Sequence, residues 1–340
     1  RTAPCNNDID FFGKLTCASE LFPALWKDVR ISRNKAIQMI LHSAFPSVFS
    51  PLSQRGGRET SFIFSIVMLN NSYKQEKQYH SGASGLGNDV LAVSIDGAIA
   101  TLVMTRPDKR NAMNEELLFA LETFFTTPPE GVKAAILTGT PGHYCSGLDL
   151  SEHVHRAPEE NFYHSRRWHS VMDKIQFGGL AVVSVMFGAV IGGGLELAAA
   201  THVRIAEHST VFQLPEGRRG IFVGGGATVR VGRIIGADRM TEMMLTGRKY
   251  SADEGLSLGL AHYSVGEGEG MELAQNLAGK ISRNAPFANM LMLQAIPRIN
   301  DMPRGEGFFT EALAASMSQT TSDAQEGLQA FLEKRAPKFS

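Results

Sequence analysis

The segments of this 340-residue chain whose residue types could do chemistry are short. Gly192-Gly193-Gly194 opens the alanine-rich run Leu195-Glu196-Leu197-Ala198-Ala199-Ala200. Glycines at a strand-to-helix turn let a ligand approach the backbone closely, and the helix start offers N–H donors without helical partners. Tight turning alone also explains three glycines, and the G-x-G-x-x-G spacing of dinucleotide sites is absent. Glu196 falls in the first helical turn, where an acid ordinarily complements the helix dipole. Twenty residues later, Phe212-Gln213-Leu214-Pro215-Glu216 ends a short strand on a second acid, ordinarily solvated in such a loop. Two more segments stand out. Tyr144-Cys145-Ser146-Gly147-Leu148-Asp149-Leu150 follows a β-rich run. Arg106-Pro107-Asp108-Lys109-Arg110-Asn111-Ala112-Met113 is a basic turn entering a helix, open to a phosphate role or to a solvated turn with Asn111 as N-cap.

The elements that must position these segments are legible from residue 89 onward. Residues 91–105 read as a hairpin, two β-rich runs around the turn dipeptide Asp96-Gly97. Residues 114–125 form an amphipathic helix with Leu117, Leu118, Leu121, Phe124 and Phe125 on one stripe. Buried strands follow at 132–138 and 181–186, each running into a glycine-containing loop and then a helical stretch, the alternation of layered α/β folds. From about Asp238 the chain is largely helical, at 239–245, 252–258, 271–282 and onward to Leu332.

Composition removes several classes. With 33 basic and 34 acidic residues the net charge is −1, which argues against a duplex nucleic-acid binder. Apolar residues make up 43% and charged residues 20%, enough for a sizeable core and wrong for global disorder. At roughly 150 residues per domain the length predicts about two domains, or one large domain with an appendage. Cys5, Cys17 and Cys145 have no close zinc-type spacing and are odd in number, so a reducing cytoplasm is expected rather than a disulfide scaffold. The longest apolar run, 62–69, has eight residues against the ~20 needed to cross a bilayer, so a soluble chain is expected. Residues 1–87 show no sustained period and end in the Gly/Ser-rich His80-Ser81-Gly82-Ala83-Ser84-Gly85-Leu86-Gly87. We read them as a poorly ordered extension or a gene-model artefact, with a natural start near Met68; the location is cytoplasmic, with organelle import left open by the uncertain start.

Taken in order, these segments resemble the crotonase superfamily, the enoyl-CoA hydratases and isomerases, over about residues 89–340. The tail Ala330-Phe331-Leu332-Glu333-Lys334-Arg335 is part of the likeness. The resemblance implies an α/β fold, a crotonase-type spiral of repeated ββα units over 88–265 with a C-terminal helical region over 266–340. It implies an oxyanion hole made by the backbone N–H groups of Leu148 and Gly193, with Glu196 and Glu216 as the catalytic acid/base pair. Lys109, Arg110, Ala112, Ser146, Gly147, Asp149, Leu150 and Gly192 are carried over as substrate- and coenzyme A-binding positions. Coenzyme A then enters as part of an acyl-CoA thioester substrate. No metal, flavin or nicotinamide cofactor is implied. Neither a membrane nor a nucleic acid is an expected partner, and a homotrimer or homohexamer is.

The expected reaction is reversible addition of water to a 2-enoyl-CoA, giving a 3-hydroxyacyl-CoA. A Δ3-Δ2-enoyl-CoA isomerase is the alternative on the same scaffold, since one acid suffices to move a proton between C2 and C4. A non-catalytic or RNA-binding protein of this fold is the alternative of another class. Departures from the family pattern leave the acyl group open: Gly179-Leu180 stands where Lys-Pro is common, and Phe187-Gly188 where Asn-Gly is. The run 220–226 lacks a proline that often shapes the pocket, and Arg218 and Arg219 stand just after Glu216, read here as surface residues, with a positive charge that lowers the Glu216 pKa as the lesser reading. The aromatic and histidine-rich set His143, Tyr144, Phe162, Tyr163, His164, Trp168 and His169 is read chiefly as packing or surface, with a pocket for an aromatic or branched enoyl group as the lesser reading.

Overall fold

The computed structural model describes residues 87–152 and 156–339. The expectations for the N-terminal extension, the apolar run 62–69, the start at Met68, Cys5 and Cys17 lie outside the described residues.

The hairpin forms as its turn chemistry dictates. Strands β1 (Leu91–Asp96) and β2 (Ile99–Met104) pair antiparallel, and Gly97 takes the positive φ of +56° at the turn. Helix α1 (Glu115–Thr126) begins where Asn114 Oδ1 accepts from the Leu117 N–H at 3.0 Å, and its five expected apolar residues are the ones it buries. Strands β3 (Ala134–Gly139) and β4 (Ala181–Met186) bury every residue, because both faces of this parallel region are covered. Between them lies α2 (Pro158–Phe177), which buries Trp168, Val171, Met172 and Ile175.

Each later repeat sends one strand to a large sheet, one to a small sheet, and then turns into a helix. Thus β4 is followed by β5 (Ala189–Ile191) and α3 (Gly193–Ala199). After β6 (Val203–Glu207) and β7 (Val211–Gln213) come a 3-10 turn at Glu216–Arg219 and α4 (Ala227–Ile235). Helix α5 (Ala237–Thr246), β8 (Tyr250–Ser251), α6 (Ala252–Leu258) and β9 (Tyr263–Val265) complete the spiral. The large sheet has the order β1-β2-β3-β4-β6-β9, parallel from β2 onward, and the small one has the order β5-β7-β8. This is the crotonase-type α/β spiral.

The helical region begins with α7 (Gly270–Ser282), whose Ala274 and Ala278 pack against Ala134, Ile136, Val183, Val185 and Ile205 of the large sheet. Small alanines let the helix approach those branched side chains closely. Helices α8 (Pro286–Ile299), α9 (Arg304–Gln319) and α10 (Ser322–Leu332) behave differently. They leave Met292, Ile296, Phe308, Phe309, Leu313, Met317, Leu328 and Phe331 exposed. Among the described residues, no helix is long and apolar enough to cross a membrane.

One local expectation is corrected. Asn111 is neither a helix cap nor solvated: it is buried, at φ +55°, and the cap is Asn114. Asn111 Oδ1 accepts from the Arg106 N–H (3.0 Å) and the Thr140 hydroxyl (2.9 Å), while its Nδ2 donates to the His143 carbonyl at 2.7 Å. The amide thereby staples the 106–113 turn to the loop leaving β3. Asn tolerates positive φ better than most residues and supplies donor and acceptor at once. We expect Asn111→Ala to lower the unfolding free energy by about 2–4 kcal/mol in denaturant titration, by stranding buried partners and straining φ. A loss below about 1 kcal/mol would show that water replaces the staple.

Candidate active site

Three strand ends converge on one cavity. The loop after β3 runs beside β5: the Cys145 N–H donates to the Ala189 carbonyl (3.0 Å), and the Ile191 N–H to the Cys145 carbonyl (3.1 Å). The same loop is tied to the turn before α1, with the Met113 N–H donating to the Gly147 carbonyl (2.7 Å) and the Asp149 N–H to the Met113 carbonyl (2.9 Å). In such a parallel pairing the residue between the two bonded positions, Leu148, turns its own N–H away from the partner strand. That N–H and the one on Gly193, at the first position of α3, donate to no acceptor among the described residues. Both residues line the cavity.

Glycine is required where the two loops meet. Gly147 has φ +100°, and a Cβ there would lie 2.8 Å from the Ile191 carbonyl oxygen and 3.1 Å from the Gly193 nitrogen. Gly192 has φ +54°, and a Cβ would lie 2.7 Å from Glu216 Oε1. The glycines thus let two free N–H groups and a carboxylate share one small space.

Glu196 and Glu216 both line this cavity, and both are buried. Glu196 Oε1 accepts from the Gly225 N–H (2.8 Å) and the Ala227 N–H (3.0 Å). Burial nevertheless lifts its pKa above the usual carboxylate range, opposed by those N–H donors and by the Arg230 charge. Glu216 is held less firmly: its buried Oε2 has no hydrogen-bond partner. Burial, with the Glu196 charge adding to it, raises the Glu216 carboxyl from 4.5 to about 7, while Arg219 pulls the other way. The arrangement can exchange protons with a bound molecule near neutral pH and can stabilise a negative oxygen beside the N–H pair.

The walls come from α2 and from the run after Glu216. Phe162, His164 and Trp168 line one side and Ile221, Phe222 and Val223 another, around about 460 Å³. Trp168 presses on the glycine turn, since a Cβ on Gly193 would lie 2.9 Å from its ring. His164 Nε2 lies 2.8 Å from Glu115 Oε1 and 3.1 Å from Trp168 Nε1, so it donates to the first or accepts from the second. The structure therefore divides the aromatic and histidine set. Tyr144 is core and Tyr163 is at the surface, while His143 Nδ1 accepts from the Ala189 N–H at 3.1 Å.

Of the positions carried over from sequence, Gly147, Leu148, Leu150, Gly192, Gly193, Glu196 and Glu216 meet at the cavity. Lys109, Arg110, Ala112, Ser146 and Asp149 are not among its lining residues. Lys109 and Arg110 are exposed, and the Ser146 hydroxyl donates to the Lys109 carbonyl at 3.2 Å. Ala112 is buried, and its carbonyl accepts from the Arg106 guanidinium. The Asp149 carboxylate is occupied by Arg106 (2.9 Å) and by the Ser151 hydroxyl (2.6 Å), so it locks the loop. Of the two arginines read as surface residues, both are exposed, but Arg219 also lines the cavity.

Sequence reasoning missed Arg230. Buried on α4, it bonds Gln176 Oε1 (2.7 Å) and Asp173 Oδ1 (2.5 Å) of α2 and holds the Gly225 carbonyl. The available signal was an arginine set between two valines, Val229 and Val231. No group of three or more His, Cys, Asp or Glu among the described residues is placed to hold a metal.

Residues 94–340 match the family profile described as enoyl-CoA hydratase/isomerase. The human enoyl-CoA hydratase domain-containing protein 2, mitochondrial, is 32% identical over 268 residues, 76% of this chain and 91% of that one. A Rhodopseudomonas palustris crystal structure, provisionally named an enoyl-CoA hydratase, is 43% identical with a TM-score of 0.71, covering 73% of this chain and 96% of that one. The enoyl-CoA hydratase structure from Bacillus anthracis is 30% identical with a TM-score of 0.70, covering 74% and 98%. With its match extending over most of its length, this chain belongs to the enoyl-CoA hydratase/isomerase family of the crotonase superfamily.

Proposed function

We propose that this protein is an enoyl-CoA hydratase, adding water reversibly across the C2–C3 double bond of a 2-enoyl-CoA. The observation that carries the reading is the pair of buried carboxyls, Glu196 and Glu216, facing one cavity beside two unengaged backbone N–H groups. The thioester oxygen sits between the Leu148 and Gly193 N–H groups. Negative charge develops on that oxygen as water attacks C3, and each preorganised donor of this kind is worth about 3–4 kcal/mol. Gly193 opens α3, so the end of the helix adds positive potential at the same point.

Roles for the acids follow from their surroundings. Glu196, fixed through Oε1 by two N–H donors, acts as the ionised base and takes a proton from the attacking water. Glu216, whose carboxyl holds its proton up to about pH 7, delivers a proton to C2. The pair shares one net charge, and each acid raises the cost of ionising the other. Coenzyme A comes with the substrate, and this scheme uses no metal or redox cofactor. The exposed apolar side chains of α8, α9 and α10 supply the contacts of a homotrimer or homohexamer, read out by sedimentation velocity.

We expect Glu196→Gln and Glu216→Gln each to lower kcat for hydration of crotonyl-CoA or a longer, branched or aromatic 2-enoyl-CoA by about 10²–10⁴-fold. The loss of enoyl-thioester absorbance measures it. Conjugation of a 3-enoyl-CoA without hydration, with one glutamate dispensable, would make the protein an isomerase instead.

A linked effect on stability follows from the raised Glu216 carboxyl. It binds its proton more tightly in the folded protein (about 7) than at its ordinary value of 4.5. Its contribution to stability is therefore complete below pH 4.5 and is lost as pH rises through 7. Relative to wild type, Glu216→Gln should gain about 2 kcal/mol in unfolding free energy between pH 5 and pH 8. Equal pH slopes for the two proteins would show that Glu216 ionises without penalty.

A further inference from the structure

We propose that Arg219 is the anion-recognising residue of the acyl pocket, and that the preferred substrate is an enoyl thioester whose acyl group ends in a carboxylate. This deepens the hydratase reading and rests on it. Arg219 lines the same cavity as Glu196 and Glu216 and acts on the Glu216 carboxyl through its charge, with no hydrogen bond or salt bridge of its own among the described residues. The neighbouring arginines are engaged. Arg218 donates to the Thr246 carbonyl at 2.6 Å, Arg156 and Arg167 pair with Glu115, and Arg230 pairs with Asp173.

The backbone determines where Arg219 points. Glu216 and Arg219 are the first and last residues of one 3-10 turn, in which side chains three apart emerge on the same face. The Glu216 side chain faces the cavity, so Arg219 does too. The two nevertheless do not pair: Glu216 Oε2 is buried without a partner, and Arg219 is exposed. A rise of ~2 Å per residue separates them by about 6 Å along the turn. A group reaching Arg219 is therefore remote from the reacting carbons by several bonds.

Part of the cavity wall is apolar. Phe222 is 71% exposed and Phe162 is 63% exposed, and both line this cavity with Ile221 and Val223. An acyl chain with a methylene middle and an anionic end matches a cavity whose lining combines two acids, apolar side chains and an arginine. A guanidinium meets a carboxylate bidentately, and such a charge-assisted pair is among the stronger hydrogen bonds.

The test is calorimetric binding of two unreactive thioesters of equal length, adipyl-CoA and hexanoyl-CoA, to the full chain. Wild type should bind adipyl-CoA at least about tenfold more tightly. Arg219→Gln should bring the two affinities within about twofold, Arg219→Lys should keep part of the preference, and Arg218→Gln should leave the ratio as in wild type. The absence of a preference in wild type, or its survival in Arg219→Gln, overturns the proposal. So does an equal loss on both CoA esters that vanishes with N-acetylcysteamine thioesters, which would assign the arginine to the nucleotide phosphates. Turnover of 2-hexenedioyl-CoA against 2-hexenoyl-CoA separates the two readings. A binding preference without hydration of either sinks the hydratase reading alone, whereas hydration of both without preference sinks this one alone.

Discussion

The structure depends on one backbone crossing. The loop leaving β3 and the glycine turn leaving β5 run so close that a Cβ on Gly194 would sit 2.2 Å from the Cys145 carbonyl oxygen. Reciprocal bonds between residues 145 and 189–191 hold that approach, and an isolated bridge pairs Cys145 with Val190. Because the two segments touch through backbone, the N–H groups of Leu148 and Gly193 are set by main-chain geometry and not by flexible side chains. Preorganisation of this kind is what makes two N–H groups effective against a charge that exists only transiently. The staple of Asn111 and the lock of Arg106 on Asp149 brace the crossing from behind.

Two carboxyls beside that crossing carry a desolvation cost, and the surroundings meet it unequally. Glu196 receives two backbone N–H bonds from the Gly225–Ala227 turn, which Arg230 anchors to α2 through Asp173 and Gln176. Glu216 receives less support: its buried Oε2 has no partner, and burial raises its carboxyl to about 7. Asymmetric support of two like groups is the pattern on which the proposed acid and base roles rest. Helix α2 is itself fastened to α1, where Glu115 gathers Arg156, His164 and Arg167 and is held near pKa 2 by them. The wall formed by Trp168 and Phe162 therefore stands on a charged hinge and not on apolar packing alone.

Departures from the family pattern have local explanations. Phe187-Gly188 keeps the glycine that the turn needs: Gly188 has φ +55°, and a Cβ would lie 2.0 Å from the Gly142 carbonyl oxygen. Phe187 packs partly against the cluster under α7. Gly179, at φ +88°, turns the chain from α2 into β4. The Ser165 hydroxyl donates to the Gly224 carbonyl at 2.6 Å, and the glycine at 225 leaves room for Glu196, whose Oε2 a Cβ would meet at 2.6 Å.

By itself the sequence determined the elements and their order. The β1–β2 turn, the apolar stripe of α1, the buried strands and the glycine turn ahead of Glu196 are local patterns of period and turn chemistry, which act over a few residues. The spiral and the three segments that meet at the cavity were legible because their ensemble resembles a family. Only the tertiary structure decided that Asn111 is a buried staple, that Asp149 is spent on Arg106, and that Arg230 supports the turn bonding Glu196. It also decided that Arg219 turns into the cavity while Arg218 does not. Each of these depends on partners dozens of residues away, or on which face a short turn presents. Burial, and with it the lift of the Glu216 proton affinity, exists only once those distant segments have closed around it.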